Sequence, residues 1–401
     1  MGLKQAAADL AIFSGKPCFE EPLHVGRPNI AEKAAILRRF EEVLDRRWLT
    51  NDGPCVRELE ERLAQLAGVE HCVAICNGTV ALEIAIKALE LSGEVIVPSF
   101  TFVATAHALA WQGLTPVFAD VDPTTHTLDP ADVRRKITDK TSAVIGVHLW
   151  GRACEIDELR AVTRSAGVRL LFDAAHALGC SYKGKPIGGF GNAEVFSFHA
   201  TKFFNTCEGG AIATNDAEVA KRARLIRNFG FEGYDNVIEI GTNGKMSELS
   251  AAMGLASLDV LPQIVDTNRQ HREQYQELLG SLPGLQLLGD PPGELSNHQY
   301  VVVIVDEAKT GLSRDELVRL LHTENVLARR YFAPGTHRMP IYLARYPGLS
   351  LPNTEWLSER VLCLPTGTAI SRDQITAISR IFELALQAPD AVRTALRHRE
   401  T

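Results

Sequence analysis

No stretch of this chain approaches the ~18 consecutive apolar residues that a membrane-crossing helix requires, so a membrane-spanning role is not expected. A basic block is missing too. With a formal net charge of -7, nucleic acid is not the expected partner. The eight cysteines include no Cys-x-x-Cys pair, which reads as reduced, mostly buried thiols in a cytoplasm and not as a disulfide framework. The twelve histidines show no His-Glu-x-x-His spacing, and no metal site is expected. Near the start, Asp9 interrupts a very short apolar run that follows Lys4, which argues against a secretory signal. There are no internal repeats and no low-complexity segment.

What is present is an ordinary globular composition, 45% hydrophobic and 23% charged over 401 residues. That length buries a large core and divides most naturally into two domains. Val56, Leu59, Leu63 and Leu66 recur at helical spacing and predict a helix over 54–67. Short apolar runs follow at 72–76, 94–97, 116–119, 143–147, 168–172, 194–198 and 210–213. Helical patterns such as 79–90, 102–112 and 155–166 separate them. Strands that alternate with helices and are apolar on both faces imply an α/β fold with a parallel, helix-covered sheet. Ligands of such sheets collect beyond the carboxyl ends of the strands.

The pattern changes after about residue 262. A long polar helix (264–280) leads to a loop rich in Gly and Pro (280–293) and an apolar strand at Tyr300–Val305. Ser313 with Glu316, and Ser371 with Gln374, form capping boxes that open two further helices. These features divide the chain into a large domain over 31–262 and a smaller α/β domain over 263–401. Residues 1–30 form a segment packing on the smaller one.

The chemistry-bearing residues sit at strand ends. Asn77-Gly78-Thr79 joins a strand to a helix, and free amides, a hydroxyl and the positive end of the helix dipole suit a phosphate. The same residues would also serve as an ordinary helix cap. Asp173 ends the run Leu170-Leu171-Phe172, where a carboxylate among apolar neighbours needs a cationic partner or else caps the next helix. A protonated pyridine nitrogen would be such a partner. Phe102, after a third strand, either lies on an aromatic cofactor or packs in the core. His176 either bonds a cofactor phenolate or is a satisfied structural histidine. Ser197 points away from Phe196 and Phe198 and either adds a hydroxyl to the phosphate or bonds backbone. Lys202, just past an apolar strand and before Gly209-Gly210, stands where a Schiff-base lysine would. Each signal has a bland reading, but their fixed order along successive strands is specific.

The segments Asn77-Gly78-Thr79, Asp173-Ala174-Ala175-His176, Ser197-Phe198-His199-Ala200-Thr201-Lys202, Glu208-Gly209-Gly210 and Thr242-Asn243-Gly244-Lys245-Met246-Ser247-Glu248 resemble the DegT/DnrJ/StrS family of sugar aminotransferases over roughly residues 48–390. The resemblance implies a fold-type I enzyme dependent on pyridoxal 5'-phosphate, with active sites shared across a homodimer. It makes Lys202 the Schiff-base lysine and pairs Asp173 with the pyridine nitrogen. Phe102 would stack on the ring and His176 would sit near its hydroxyl. Gly78, Thr79 and Ser197 would hold the phosphate, joined by Asn243 from the other subunit. Asn228-Phe229-Gly230 resembles a loop lining the shared cleft.

There are departures. Lys245 stands where the family usually has arginine, His176 where glutamine is commoner, and Cys207 where glycine is usual. The flanks Pro22–Pro28, Arg47–Asn51 and Arg330–Arg338 are similar to family members that make dTDP-4-amino-4,6-dideoxyglucose. Arg27, Arg330, His337 and Arg338 are donors suited to a nucleotide diphosphate, or else solvated surface charge.

The reaction implied is amino transfer from L-glutamate to a dTDP-linked keto-sugar, dTDP-4-keto-6-deoxyglucose, with a 3-keto isomer as the alternative. Dehydratases of the same fold carry histidine in place of the lysine, which Lys202 argues against. The glycines at 188–191 precede a strand, so they are not a dinucleotide fingerprint. A non-catalytic, cofactor-binding regulator remains the reading from a different class.

Overall fold

The computed structural model describes residues 3–398. Its centre is a seven-stranded sheet built from β1 (His71–Ile75), β2 (Glu94–Pro98), β3 (Thr115–Ala119), β4 (Thr141–Val147), β5 (Arg169–Asp173), β6 (Ala193–Ser197) and β7 (Gly210–Thr214). Across the sheet the order is β1-β7-β6-β5-β4-β2-β3. Six strands run one way, and β7 runs against both neighbours, with Gly210 opposite Ile75 and Ser197. The mainly parallel, helix-covered sheet expected from the apolar runs is thus what the chain forms, with one strand reversed. Strand direction leaves no trace in a run buried on both faces.

Alternation with a period of two sends Val73, Ile75, Leu171, Val195 and Ile212 to one face. There they pack on helices Gly78–Ala88, Ala104–Trp111 and Ala217–Ile226. Cys72, Ala74, Phe196, Ala211 and Ala213 go to the other face, against Pro54–Ala67 and Glu248–Asp259. Pro54–Ala67 begins on Pro54 and ends at Gly68, whose φ of 63° closes the helix in the left-handed region. Helix Ala104–Trp111 starts two residues later than its pattern suggests, which leaves Phe102 in the loop after β2.

Beyond the sheet, helix Leu261–Leu279 leads to a three-stranded antiparallel sheet of Leu285–Leu287, Val301–Val305 and Val361–Leu364. The first of these strands lies in the segment expected to be loop, because Leu285 and Leu287 gain burial only by pairing with distant Val305 and Val303. Both capping boxes form: Ser313 and Ser371 each bond the third residue of the helix that follows.

The N-terminal segment contributes Leu10, Ile12, Phe19 and Leu23 to the core formed by this C-terminal region. Leu23 and His24 pair with Val326 and Leu327 as a short parallel bridge. Fully buried Glu324 fastens it electrostatically. Its carboxylate accepts from the amides of Ala11 at 2.6 Å and Cys18 at 2.7 Å and lies 3.4 Å from the Lys4 ammonium. Removing that acceptor should cost about 2–4 kcal/mol, because buried amides lose a charged partner. We expect Glu324→Ala to retain the seven-stranded sheet while amide hydrogen exchange over residues 10–18 rises sharply. Unchanged exchange there would show that apolar burial alone holds the segment.

Candidate active site

Beyond the carboxyl ends of β1, β2, β5 and β6 lies a cavity of about 620 Å³. The register of the sheet puts five of the residues singled out from the sequence at its wall: Gly78, Thr79, Asp173, Ser197 and Lys202. Phe102 and His176 complete the set.

The end of the cavity next to β1 and β6 is a helix N-terminus. Asn77 caps the helix by accepting the Val80 amide at 2.9 Å, so the capping role falls to Asn77 and leaves the Gly78 and Thr79 amides at the cavity wall. A Cβ on Gly78 would come 2.9 Å from Ser197 Cβ, so only glycine lets the two segments approach this closely. Two amides, two hydroxyls and a helix dipole then share one small volume, which is a phosphate-sized anion site.

At the centre, Asp173 is 5% exposed. Oδ2 accepts from Thr105 Oγ1 at 2.8 Å and Oδ1 from the Ala175 amide at 3.1 Å. Burial raises its pKa above the ordinary carboxylate value, while those two hydrogen bonds and the charge of Lys202 oppose the rise. Two neutral donors do not replace the solvation of a carboxylate, so the geometry calls for a cation in the cavity.

Lys202 rides on a loop fixed from below. Phe198 and Phe204 meet edge to face at 4.9 Å, and Asn29 Nδ2 donates to the Phe203 carbonyl at 3.0 Å. Asn205 Nδ2 in turn donates to the Asn29 carbonyl at 2.8 Å. Burial lowers the Lys202 ammonium from 10.5 to about 8, with the Asp173 carboxylate opposing. A usable fraction of the amine is therefore neutral and nucleophilic near physiological pH.

Phe102 is 58% exposed, a large ring left at the cavity wall with no core to fill. The remaining wall comes from the C-terminal region: Tyr300, Arg329, Tyr331 and Phe332. None of these four was given a role from the sequence, although Tyr331 and Phe332 lie in the flank Arg330–Arg338. Arg329 and Tyr331 flank Arg330, which was given one. Arg329 bridges to Cys363 and a turn follows directly, so adjacent Tyr331 and Phe332 both reach the cavity.

Other expected residues lie elsewhere. Arg330 pairs with Asp315 at 3.1 Å. His337 is buried, with Nδ1 2.7 Å from Ser99 Oγ and Nε2 3.2 Å from Glu355. Arg338 donates to the same Glu355 at 2.7 Å. Arg27 is exposed and lines a groove of the N-terminal segment with Lys4 and Asp9. Asn228 and Asn243 bridge to each other, and Lys245 lies 4.6 Å over the Phe229 ring. None of these seven expected residues borders the cavity within one chain.

A seven-stranded sheet in this order, with a depressed lysine after β6 and a buried carboxylate ending β5, is the fold-type I architecture of pyridoxal-phosphate enzymes. The residues fit that cofactor at three points: anion site, buried carboxylate and exposed aromatic ring. More narrowly, the chain belongs to the DegT/DnrJ/EryC1/StrS aminotransferase family, whose description matches residues 31–383. It is 34% identical over 368 residues to a dTDP-4-amino-4,6-dideoxy-D-glucose transaminase of Escherichia coli, covering 90% of this chain and 98% of that one. A Shigella dysenteriae protein of the same name is 36% identical, covering 88% and 96%. Among solved structures, DesI in the presence of its TDP-sugar product superposes with a TM-score of 0.94 at 51% identity, covering 98% of this chain and 100% of DesI. The protein is thus a pyridoxal-phosphate-dependent aminotransferase.

The Lys202 environment makes a pH prediction. The neutral amine is the attacking species, so the rate at which apoenzyme takes up pyridoxal phosphate should rise with pH and level off above a midpoint near 8. Asp173→Asn, which removes the opposing charge, should lower that midpoint. A wild-type midpoint near the ordinary lysine value would contradict this environment.

Proposed function

We propose that the enzyme moves an amino group from L-glutamate to the ketone of dTDP-4-keto-6-deoxyglucose, giving dTDP-4-amino-4,6-dideoxyglucose. The observation that carries this reading is the similarity to DesI along 98% of the chain, since that structure contains a TDP-sugar product. The two curated transaminases with matching names support it.

When bound, pyridoxal phosphate supplies a carbonyl for amine exchange and an electron-withdrawing ring that stabilises charge at carbon. Gly78 and Thr79 amides and the Ser197 hydroxyl would hold its phosphate, and Phe102 would cover the ring. Asp173 would keep the proton on the ring nitrogen, an arrangement that also supplies the cation its buried carboxylate lacks. Lys202 Nζ, displaced by the incoming amine, would carry the α proton of glutamate to the cofactor's carbonyl carbon, and in the opposite half-reaction would carry a proton from that carbon to the sugar carbon that receives the nitrogen. Its depressed pKa supports both acceptance and release of a proton near neutrality. Arg329, at the cavity wall, would receive a substrate carboxylate or phosphate.

A homodimer completes this reading. Tyr234 is 97% and Ile240 79% exposed, and Val237 and Ile238 are exposed beside them. These exposed apolar residues lead along the chain into Asn243, so a second copy covering them would bring Asn243 of the partner subunit to the phosphate. All eight cysteines are free thiols, which suits the proposed cytoplasmic setting. Among the described residues no helix is long and apolar enough to cross a membrane.

The test is a visible spectrum. Glutamate should bleach the yellow holoenzyme, and dTDP-4-keto-6-deoxyglucose should restore the colour with release of a sugar bearing nitrogen at C4. Restoration by a 3-keto isomer alone would overturn the acceptor while leaving the aminotransferase in place. Lys202→Ala should lose steady-state turnover by at least about 10³-fold, the scale of a general base that also provides the covalent attachment.

A further inference from the structure

A carboxylate can pair with a protonated ring nitrogen only while it stays ionised, and at Asp173 burial works against that state. It raises the Asp173 pKa, and the Thr105 hydroxyl is the largest influence opposing the rise, ahead of the Ala175 amide, Lys202 and His148. What holds the Thr105 hydroxyl in place therefore bears on the chemistry of the site.

The direction of the hydrogen bonds follows from where the protons can go. Thr105 Oγ1 lies 2.8 Å from Asp173 Oδ2. An ionised carboxylate only accepts, so the single hydroxyl hydrogen of Thr105 is spent on it. Thr101 Oγ1 lies 3.2 Å from Thr105 Oγ1. With no second hydrogen to give, the Thr105 oxygen accepts and Thr101 donates. Thr105 is fully buried and Thr101 is 2% exposed, so neither hydroxyl turns to bulk water. Two hydroxyls in series thus direct their protons toward one carboxylate, and each polarises the next.

Thr101 is anchored from a distant part of the chain. Its carbonyl accepts from Thr336 Oγ1 at 3.3 Å, and the Thr336 amide donates to the Ser99 carbonyl at 2.8 Å. Ser99 Oγ accepts from the His337 amide at 2.9 Å. Buried Thr336 and His337 therefore fix the Ser99–Thr101 segment at three points, and that segment fixes the donor to Thr105.

We infer that Thr101 and Thr105 are positioning residues that act in series, holding Asp173 ionised and turned toward the cofactor's ring nitrogen. This rests on the pyridoxal phosphate reading of the site. The experiment titrates apoenzyme with pyridoxal phosphate as a function of pH, following the visible band. The proteins are wild type, Asp173→Asn, Thr105→Val, Thr105→Ser, Thr101→Val and the Thr101→Val/Thr105→Val double variant. Valine matches the shape of threonine and removes the hydroxyl, while serine keeps it.

In wild type the affinity should fall on the acid side as Asp173 takes up a proton, because a neutral carboxyl gives up the charge that pairs with the ring nitrogen. That fall should vanish in Asp173→Asn. A donor to the ionised form keeps the midpoint low, so Thr105→Val should raise it by about one pH unit, the scale of one hydrogen bond to a charged group. Thr101→Val should raise it by about 0.3 of a unit, the share of a cooperative neighbour, and should add nothing in the double variant. Thr105→Ser should stay near wild type. The uptake midpoint near 8 set by Lys202 should not move in the threonine variants, which separates this effect from a general disturbance of the site. An acid midpoint unchanged in Thr105→Val, a Thr101→Val effect that persists in the double variant, or an acid fall that survives in Asp173→Asn would overturn the inference. A wild-type protein that develops no visible band would overturn the cofactor reading and this inference with it.

Discussion

Placing a carboxylate inside the wall of an α/β protein costs several kcal/mol unless hydrogen bonds and a cation compensate, and the site is organised around that condition at Asp173. The residue ends β5, the strand at the middle of the seven-stranded sheet, where neighbours on both sides exclude water. Thr105, at the start of helix Ala104–Trp111, supplies one hydrogen bond and the Ala175 amide another. Both are neutral, and the Lys202 ammonium offsets the burial only in part, so a cation entering the cavity would complete the charge compensation. The same burial acts in the opposite direction on Lys202, lowering its pKa to about 8. One dry environment therefore prepares an acid that needs a cation and an amine ready to react.

The sheet makes this possible by geometry. Side chains alternate between two buried faces, so a polar residue inside a strand would be trapped in the core. Chemistry is confined to the carboxyl ends. Gly78, Asp173, Ser197 and Lys202 all lie within a residue or a short loop of such an end. The loop bearing Lys202 is held by aromatic packing and by Asn29, which ties the N-terminal segment to it. Glu324 fastens that same segment to the C-terminal core. Residues near the start and near position 324 thus help fix the position of one amine.

Much of this was legible locally. The helix Pro54–Ala67 follows from its apolar spacing and its Pro and Gly boundaries. Each principal strand follows from its apolar run, within a residue or two. Asp173 stood out because it ends an apolar strand in a carboxylate the core cannot accept, Gly78 because it joins a strand to a helix N-terminus, and Lys202 because it lies past an apolar strand and before a glycine pair. Residues whose placement depends on distant parts of the chain were not legible. His337 and Arg338 look like free cationic donors in sequence, but Glu355 and Ser99 engage them. Tyr300 looks like the first residue of a buried strand, and only the fold brings its hydroxyl to His176. The reversal of β7 was likewise invisible, since a strand buried on both faces carries no mark of direction.

The most direct measurement compares pyridoxal phosphate with its analogue bearing a C–H in place of the ring nitrogen, binding to wild type and to Asp173→Asn. The two ligands differ at the atom Asp173 is assigned to hold. If a buried carboxylate awaiting a cation governs the site, wild type should prefer the nitrogen-bearing ring by at least about tenfold, and Asp173→Asn should lose most of that preference. Equal affinity of wild type for the two ligands would contradict the account, because Asp173 would then be satisfied by Thr105 and Ala175 alone.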